Sequence, residues 1–165
     1  IGGDSQDSVS GLSVGSYPPD QGPSKAFDQS SSTKYVGFGT CNATVGGTNI
    51  TCGENTGLYI SLQREPSLLI AFRFQTPDSY RPRDPKMITI EGSNQLSSLL
   101  NYGSSWSLIY NGTSGLDIDP DRYSFGKVIW ITNNTIRYSS YRLLVQHKQG
   151  EGNFVQYSEF QLFVI

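Results

Sequence analysis

Only a few side chains in this sequence have the types and spacing that chemistry requires. Glu159 lies just before an apolar segment, where a buried charge is costly unless it is paired or bound to a metal. A carboxylate solvated at the rim of a sheet is the alternative. Arg81, Arg83 and Asp84 lie together in one loop, and the prolines around them predict a stiff turn locked by an Arg–Asp bond. The single histidine, His147, lies near a predicted turn.

These groups do not predict a catalytic site. An enzyme needs titratable groups that converge on one place. With one histidine the sequence offers no Ser/His/Asp arrangement, and Glu151 has no obvious partner carboxylate for glycoside hydrolysis. Two cysteines cannot form a zinc site alone. We therefore expect a protein that is not an enzyme.

The cysteines and the glycosylation sequons predict the compartment. Cys41 and Cys52 are the only cysteines, and a secreted chain would pair them; two free cytosolic thiols are the alternative. Closing so short a loop contributes about 3 kcal/mol to stability. N-x-T sequons predict N-linked glycans at Asn42, Asn49, Asn111 and Asn133. We read an oxidised, glycosylated, extracellular protein.

The composition favours an all-β domain. The chain has 165 residues, enough for one domain, with 18 glycines, 10 tyrosines and few of the residues that helices prefer. The net charge is −2 and no basic run is present, so nucleic acid is not an expected partner. No apolar stretch is long enough to span a membrane.

The elements that position these groups are short strands. Leu58–Leu62 and Leu68–Phe74 are predicted to pair as a hairpin, and Tyr141–Val145 and Phe154–Ile165 flank a polar turn that contains two glycines. Further strands are predicted at Met87–Glu91, Trp106–Tyr110 and Val128–Thr132. Seven or eight short strands at this spacing indicate a β-sandwich or jelly roll, which we place in residues 17–165.

Four segments then show a family resemblance. They are AFD at Ala26–Asp28 followed by STKY, RDPKMITIEGSN at Arg83–Asn94, YRLLV at Tyr141–Val145, and VQYSEFQLF at Val155–Phe163. In this order the chain resembles the discoidin, or coagulation-factor type C, family of galactose-binding-like domains. The resemblance implies a jelly-roll sandwich of about eight antiparallel strands. It also implies loops at one end that bind sugars, lipid head groups or proteins, and rarely any enzymatic activity.

The resemblance further implies a structural calcium ion. In many carbohydrate-binding relatives the ion is held by the aspartate after A-F, by oxygens of the next turn and by the glutamate of the last strand. Here those positions are Asp28, Thr33 and Glu159. Calcium takes hard oxygen ligands, and two carboxylates would neutralise it. The alternative is a polar turn in which Asp28 accepts hydrogen bonds from backbone N–H groups of its own loop.

Two non-enzymatic functions remain. In the first, residues 1–16 form a polar arm that packs on another copy of the chain through Leu12 and Val14, giving a structural glycoprotein that assembles into filaments. The alternative for these residues is a first strand that pairs within the domain's own sheet. In the second, the domain is a lectin-like module whose loops bind a carbohydrate ligand. The candidate ligand residues are Tyr17, Tyr35, Tyr80, Arg81 and His147. Self-assembly is the main expectation, and glycan binding is the alternative.

Overall fold

The computed structural model describes residues 17–39, 41 and 51–165. These residues form nine strands and four short 3₁₀ turns. The strands are β1 (Tyr35–Gly37), β2 (Thr56–Ser61), β3 (Leu69–Gln75), β4 (Pro85–Ser93), β5 (Ser107–Thr113), β6 (Ile129–Trp130), β7 (Ser140–Lys148), β8 (Val155–Tyr157) and β9 (Glu159–Val164). The 3₁₀ turns are Pro23–Ala26, Arg81–Arg83, Ser97–Leu99 and Gly103–Ser105.

The strands form three antiparallel sheets. A four-stranded sheet has the order β2-β7-β4-β5, a three-stranded sheet has the order β6-β3-β9, and β1 pairs with β8. The predicted all-β jelly-roll sandwich of about eight antiparallel strands is therefore confirmed. No helix in the part of the chain that the structure describes is long or apolar enough to cross a membrane.

The core lies between the two larger sheets and is rich in aromatic rings. Because successive side chains in a strand point to opposite faces, β3 presents Phe72 and Phe74 inward. The ring of Phe74 stacks on Phe160 of β9 at 4.7 Å between centroids and meets Tyr157 of β8 edge-on at 5.1 Å. Such pairs add about 0.5–1.5 kcal/mol each beyond burial of their area. This aromatic layer fixes the positions of the strands that carry the charged groups described below.

The two hairpins predicted from the sequence do not form. β2 pairs with β7, whereas β3 pairs with β6 and β9, so the connection between β2 and β3 crosses from one sheet to the other. The predicted hairpin after β7 is also absent, because β8 pairs with β1 and β9 pairs with β3. Each of these strands has an apolar face, and a sandwich buries such faces by placing successive strands in opposite sheets.

The last apolar run is divided at Ser158. Val155 and Tyr157 face the core from β8, and Phe160 faces it from β9. The alternation of core-facing residues is therefore displaced by one position between the two strands. Ser158 lies at this change and donates its N–H to the carbonyl of Gln75 at 2.9 Å. Before this change the chain pairs with β1, as β8, and after it the chain pairs with β3, as β9. Glu159 is the first residue of β9.

Several connections meet at one end of the sandwich. Register places the start of β4 beside the end of β7, and the end of β3 beside the start of β9. The loops at this end are residues 51–55, 76–84, 114–124 and 149–154, and we call it the loop end.

Candidate functional site

The turn from Tyr80 to Asp84 is held at the loop end by several backbone hydrogen bonds. Tyr80 has a positive φ of 56°, a backbone conformation that residues other than glycine rarely adopt. The backbone N–H of Asp84 closes the following 3₁₀ turn by donating to Arg81 O at 2.8 Å. The N–H groups of Gln149 and Gly150 donate to Asp84 O and Pro82 O, each at 2.9 Å. The stiff turn predicted from the prolines is thus bonded to the β7–β8 connection.

The Arg–Asp bond in this region does not involve the arginines expected from the sequence. Asp84 is buried, and its Oδ2 accepts a hydrogen bond from Arg122 Nη1 at 2.8 Å. Arg81 instead forms an ion pair with Asp119, with Nε and Oδ1 separated by 3.2 Å. Burial raises the pKa of Asp84 to about 6, although the Arg122 guanidinium opposes the rise. A buried pair therefore joins the turn to the β5–β6 connection.

A cluster of two aromatic rings and a guanidinium lies on this turn. Arg83 Cζ is 4.7 Å from the ring centre of Tyr80 and 4.0 Å from that of Phe154. Phe154 in turn meets Phe38 edge-on at 5.8 Å. Tyr80 remains 52% exposed. We call Tyr80, Arg83 and Phe154 the loop-end cluster; it holds an aromatic surface and a cation in fixed positions at the tip of the domain.

A groove of about 550 Å³ continues from this cluster. Its lining includes Gly150, whose N–H is bonded to the Tyr80–Asp84 turn. Within the groove His147 Nδ1 lies 3.5 Å from Glu54 Oε2, and the backbone N–H of Lys148 donates to Glu54 Oε1 at 3.1 Å. The full lining is Glu54, Lys86, Met87, His147, Lys148, Gly150 and Glu151. The groove thus offers hydrogen-bond donors and acceptors, and side chains of both charges, beside the exposed ring of Tyr80.

The ligand residues predicted from the sequence are divided by the structure. Tyr80, Arg81 and His147 all lie at the loop end. Tyr17 is partly exposed and packs beside Gly22. Tyr35 is not a loop residue: it is the first residue of β1, where it is buried and pairs with Tyr157 of β8.

The sequence reasoning missed Arg83, Phe154 and Glu54 as ligand candidates. Arg83 opens the RDPK segment that carried the family resemblance, and Phe154 opens the last apolar run. Both were therefore visible as parts of a pattern. Glu54 had no signal, because it follows a long Gly/Asn/Thr-rich stretch and approaches His147 only through the β2–β7 pairing.

Asp28 and Glu159 come together at the edge of the sandwich. The backbone N–H of Ser30 donates to Asp28 Oδ1 and to Glu159 Oε1, each at 3.1 Å. Thr33 Oγ1 lies 2.8 Å from both carboxylate oxygens of Asp28 and 3.2 Å from Ser30 O. Lys25 Nζ lies 3.4 Å from Asp28 Oδ2. The predicted residues Asp28, Thr33 and Glu159 are thus neighbours across a single turn.

The electrostatics of the two carboxyl groups differ. Burial, reinforced by the charge of Asp28, raises the pKa of Glu159, while the Ser30 N–H opposes the rise. Burial also acts to raise the pKa of Asp28, but hydrogen bonds from Thr33 and Ser30 outweigh it and lower the value. Of the two carboxyl groups, the buried Glu159 is therefore the harder to ionise.

The residues around this pair are suited by type to calcium. Two carboxylates, the Thr33 hydroxyl and the Ser30 carbonyl are all hard oxygen donors. Among the described residues no group of three or more His, Cys, Asp or Glu side chains gathers to hold a metal. A cation at this place would therefore take part of its coordination from the hydroxyl and carbonyl oxygens, and the Ser30 N–H would have to give up its present bonds.

The disulfide predicted between Cys41 and Cys52 is present, with the two Cα atoms 5.5 Å apart. Asn111 on β5 and Asn133 after β6 are exposed, as N-linked glycans require. Asn42 and Asn49 lie outside the described residues, as do Leu12 and Val14 of the arm. Glycosylation at the four sequons and packing through the arm stay predictions.

Solved structures with this fold were found by structural comparison. CpGH89CBM32-5 from Clostridium perfringens, in complex with GalNAc-β-1,3-galactose, is 17% identical with a TM-score of 0.56, covering 90% of each chain. The family 32 carbohydrate-binding module of C. perfringens NanJ, in complex with galactose, is 14% identical with a TM-score of 0.58, covering 89% of this chain and 88% of that one. An F5/8 type C domain from Bacteroides fragilis is 14% identical with a TM-score of 0.62, covering 87% of this chain and 81% of that one.

No protein-family model and no curated protein matches the chain. At identities this low, the similarity to solved structures establishes the fold. It is the discoidin-like fold that the four sequence segments predicted.

Proposed function

We propose that this protein is an extracellular glycan-binding module that recognises galactose-configured sugars at its loop end and does not cleave them. The observation that carries the proposal is the loop-end cluster, in which an exposed tyrosine ring and an arginine are fixed beside a groove that His147 and Glu54 line. Two of the similar structures were solved with galactose or a galactose-containing disaccharide bound, which supports the same ligand class here.

The geometry suits a sugar because a pyranose has one apolar face and a rim of hydroxyl groups. The exposed ring of Tyr80 offers a flat surface for the apolar face. Arg83 and the groove residues His147 and Glu54 offer donors and acceptors for the hydroxyl groups. The positive φ of Tyr80 and the stacking of Arg83 hold these groups in place before a ligand arrives, which reduces the entropy lost on binding.

The proposed function is glycan binding, the alternative expectation from the sequence, and not self-assembly, which was the main one. Filament formation rested on Leu12 and Val14, which lie outside the described residues, and the similar structures support carbohydrate binding instead. An extracellular location agrees with the Cys41–Cys52 disulfide and with exposed sequons at Asn111 and Asn133.

A glycan array probed with the intact chain tests the proposal. We expect binding to glycans that end in galactose or N-acetylgalactosamine. Tyr80→Ala should weaken that binding about tenfold or more, because a ring that stacks on the sugar is lost.

Tyr123→Ala is the matched control. Tyr123 is 50% exposed and has a φ of 60°, so it resembles Tyr80 in exposure and backbone conformation, but it lies outside the loop-end cluster. Its removal should leave array binding unchanged. Equal loss in both variants, or full binding by Tyr80→Ala, would exclude the loop-end cluster as the site.

A further inference from the structure

Aromatic side chains also lie on the outer face of the β6-β3-β9 sheet, away from the loop-end cluster. Trp130 of β6 and Phe163 of β9 are both register partners of Ala71 on β3. Directly paired residues point to the same face of a sheet, so the two rings stand on either side of a small side chain. Trp130 is 68% exposed and Phe163 is 36% exposed.

The next row of this face carries polar groups in fixed positions. Arg73 Nε donates to Gln161 Oε1 at 2.8 Å across the β3–β9 pair. The guanidinium carbon of Arg73 lies 3.8 Å from the ring centre of Phe125 and 5.7 Å from that of Phe163. Stacking and hydrogen bonding thus hold a cation flat against the sheet, with its remaining N–H groups available as donors.

A polar pocket of about 290 Å³ continues the row in the direction of the loop end, where β3 ends and β9 begins. Phe125 and Gln161 belong to both the row and the pocket, so the two are continuous. The pocket is lined by Gln29, Ser31, Gln75, Phe125, Glu159 and Gln161. Its amides and hydroxyl can both donate and accept hydrogen bonds.

We propose that this outer face, made of Trp130, Ala71, Phe163, Arg73 and Gln161, is a second carbohydrate site that takes a linear, uncharged oligosaccharide. The site goes beyond the loop-end function and does not depend on it. Neighbouring strands lie about 4.8 Å apart, so Trp130 and Phe163, two strands apart, are separated by about 10 Å. That distance matches a disaccharide repeat of an extended β-linked chain, which lets the two rings stack on sugars that face the sheet.

The chemistry of the face selects this ligand. Ala71 is fully covered by its neighbours, so the two rings belong to one continuous surface, and the carboxamide of Gln161 and the guanidinium of Arg73 border that surface with groups that can bond a sugar's hydroxyls. Arg73 is the one charged side chain in these two rows of described residues, and Phe125 and Gln161 already contact it. A strongly acidic or basic ligand would find no matching set of charges, whereas an uncharged glycan needs none.

Tryptophan fluorescence tests the proposal directly, because the chain contains only two tryptophans. Trp106→Phe leaves Trp130 as the sole indole, and an added Asn133→Gln prevents an attached glycan from covering the face. The probes are cellotetraose and β-1,4-mannotetraose, neither of which contains galactose, with galactose alone as the comparison. We expect a saturable blue shift of Trp130 emission with one of the tetraoses and little response to galactose.

Calorimetric titration of the same tetraose separates the two sites. Phe163→Ala should weaken tetraose binding about tenfold or more, because one of the stacking rings is lost. Tyr80→Ala should leave tetraose binding unchanged while it weakens galactose binding at the loop end about tenfold or more. Leu96→Ala is the matched control, since Leu96 is also an exposed apolar residue but lies on the β4–β5 connection.

Other outcomes would overturn the proposal. No response of Trp130 to either tetraose, or a response that Phe163→Ala does not weaken, would mean that the face does not bind glycans. Sedimentation that shows a dimer dissociated by Trp130→Ala would assign the face to contact between copies of the chain. If Trp130 emission is already blue-shifted without ligand, and deletion of residues 1–16 removes that shift, the outer face is instead the binding surface for the N-terminal arm.

Discussion

Asp84 is the residue whose ionisation most directly affects the loop end. Its pKa lies at about 6 in the folded protein, above the ordinary value of 3.8, because burial outweighs the attraction of Arg122. From about pH 4 to about pH 6 the folded state therefore holds a proton that the unfolded state has lost. This contribution to the free energy of unfolding is complete below pH 4 and is lost as the pH rises through 6.

Asp84→Asn should remove this pH dependence. The stability of the variant relative to the parent should rise between pH 4 and pH 7, by on the order of 3 kcal/mol, since each pKa unit corresponds to 1.36 kcal/mol. Urea unfolding at each pH measures the difference. Asp78→Asn is a control of opposite sign, because the hydrogen bond from Lys34 lowers the pKa of Asp78. A flat difference for Asp84→Asn would show that its carboxyl is not perturbed.

We propose that Asp28, Thr33 and Glu159 hold a calcium ion that offsets the buried charge of Glu159. Chelator should then lower the melting temperature of the parent and leave that of Asp28→Ala unchanged. Asp117→Ala, an exposed carboxylate elsewhere, should still respond to chelator as the parent does. Equal melting of the parent with and without chelator would favour the polar turn, in which Ser30 N–H and Thr33 Oγ1 satisfy Asp28 alone.

For single residues, the sequence predicted which side chains lie near one another better than it predicted which of them bond. Asp28, Thr33 and Glu159 were placed together because the family pattern links them. Asp84 was expected to bond Arg81 or Arg83, but its partner Arg122 lies 38 residues away. A pattern of adjacent charges favours local pairing, whereas a buried carboxylate pairs with whichever cation the fold brings beside it.

Among the elements, the pairing of β2 with β7 leaves almost no space at Gly57. A Cβ atom at this position would lie 1.8 Å from the carbonyl oxygen of Leu143, which belongs to the backbone of β7. We expect Gly57→Ala to lower the free energy of unfolding by about 1–3 kcal/mol or more, because the two strands must separate. Denaturant unfolding measures the change.

Gly150→Ala is the control for this prediction. A Cβ at Gly150 would lie 3.1 Å from Pro82 Cβ, a contact that a small shift of the loop relieves. Its effect should be clearly smaller than that of Gly57→Ala. If the two substitutions have equal effects, the close approach of β2 and β7 is not what the glycine preserves.

Strand existence was predictable from the sequence, and strand pairing was not. Apolar runs located β3 and β7, and the run from Phe160 onward indicated a buried strand. Adjacent strands joined by a short polar turn look like a hairpin in any sequence. The choice of partner depends instead on which apolar faces must meet across the core, as for β8, which pairs with the distant β1.

Considered as a whole, the molecule presents two separate surfaces that suit sugars. The loop-end cluster lies at one tip, and the outer face of the β6-β3-β9 sheet lies along one side. A module that engages a glycan at both places would bind multivalent surfaces more tightly than either site alone. The exposed sequons at Asn111 on β5 and Asn133 after β6 both lie outside the loop-end cluster.

Saturation-transfer NMR of the intact chain with GalNAc-β-1,3-galactose tests the central claim most directly, because one sample reports both binding and cleavage. The account predicts transfer to the disaccharide that excess galactose competes away, and no new reducing-end signal on long incubation. It further predicts that Tyr80→Ala abolishes the transfer and Tyr123→Ala does not. Absence of transfer from the folded parent, or release of monosaccharide, would contradict a non-enzymatic glycan-binding module.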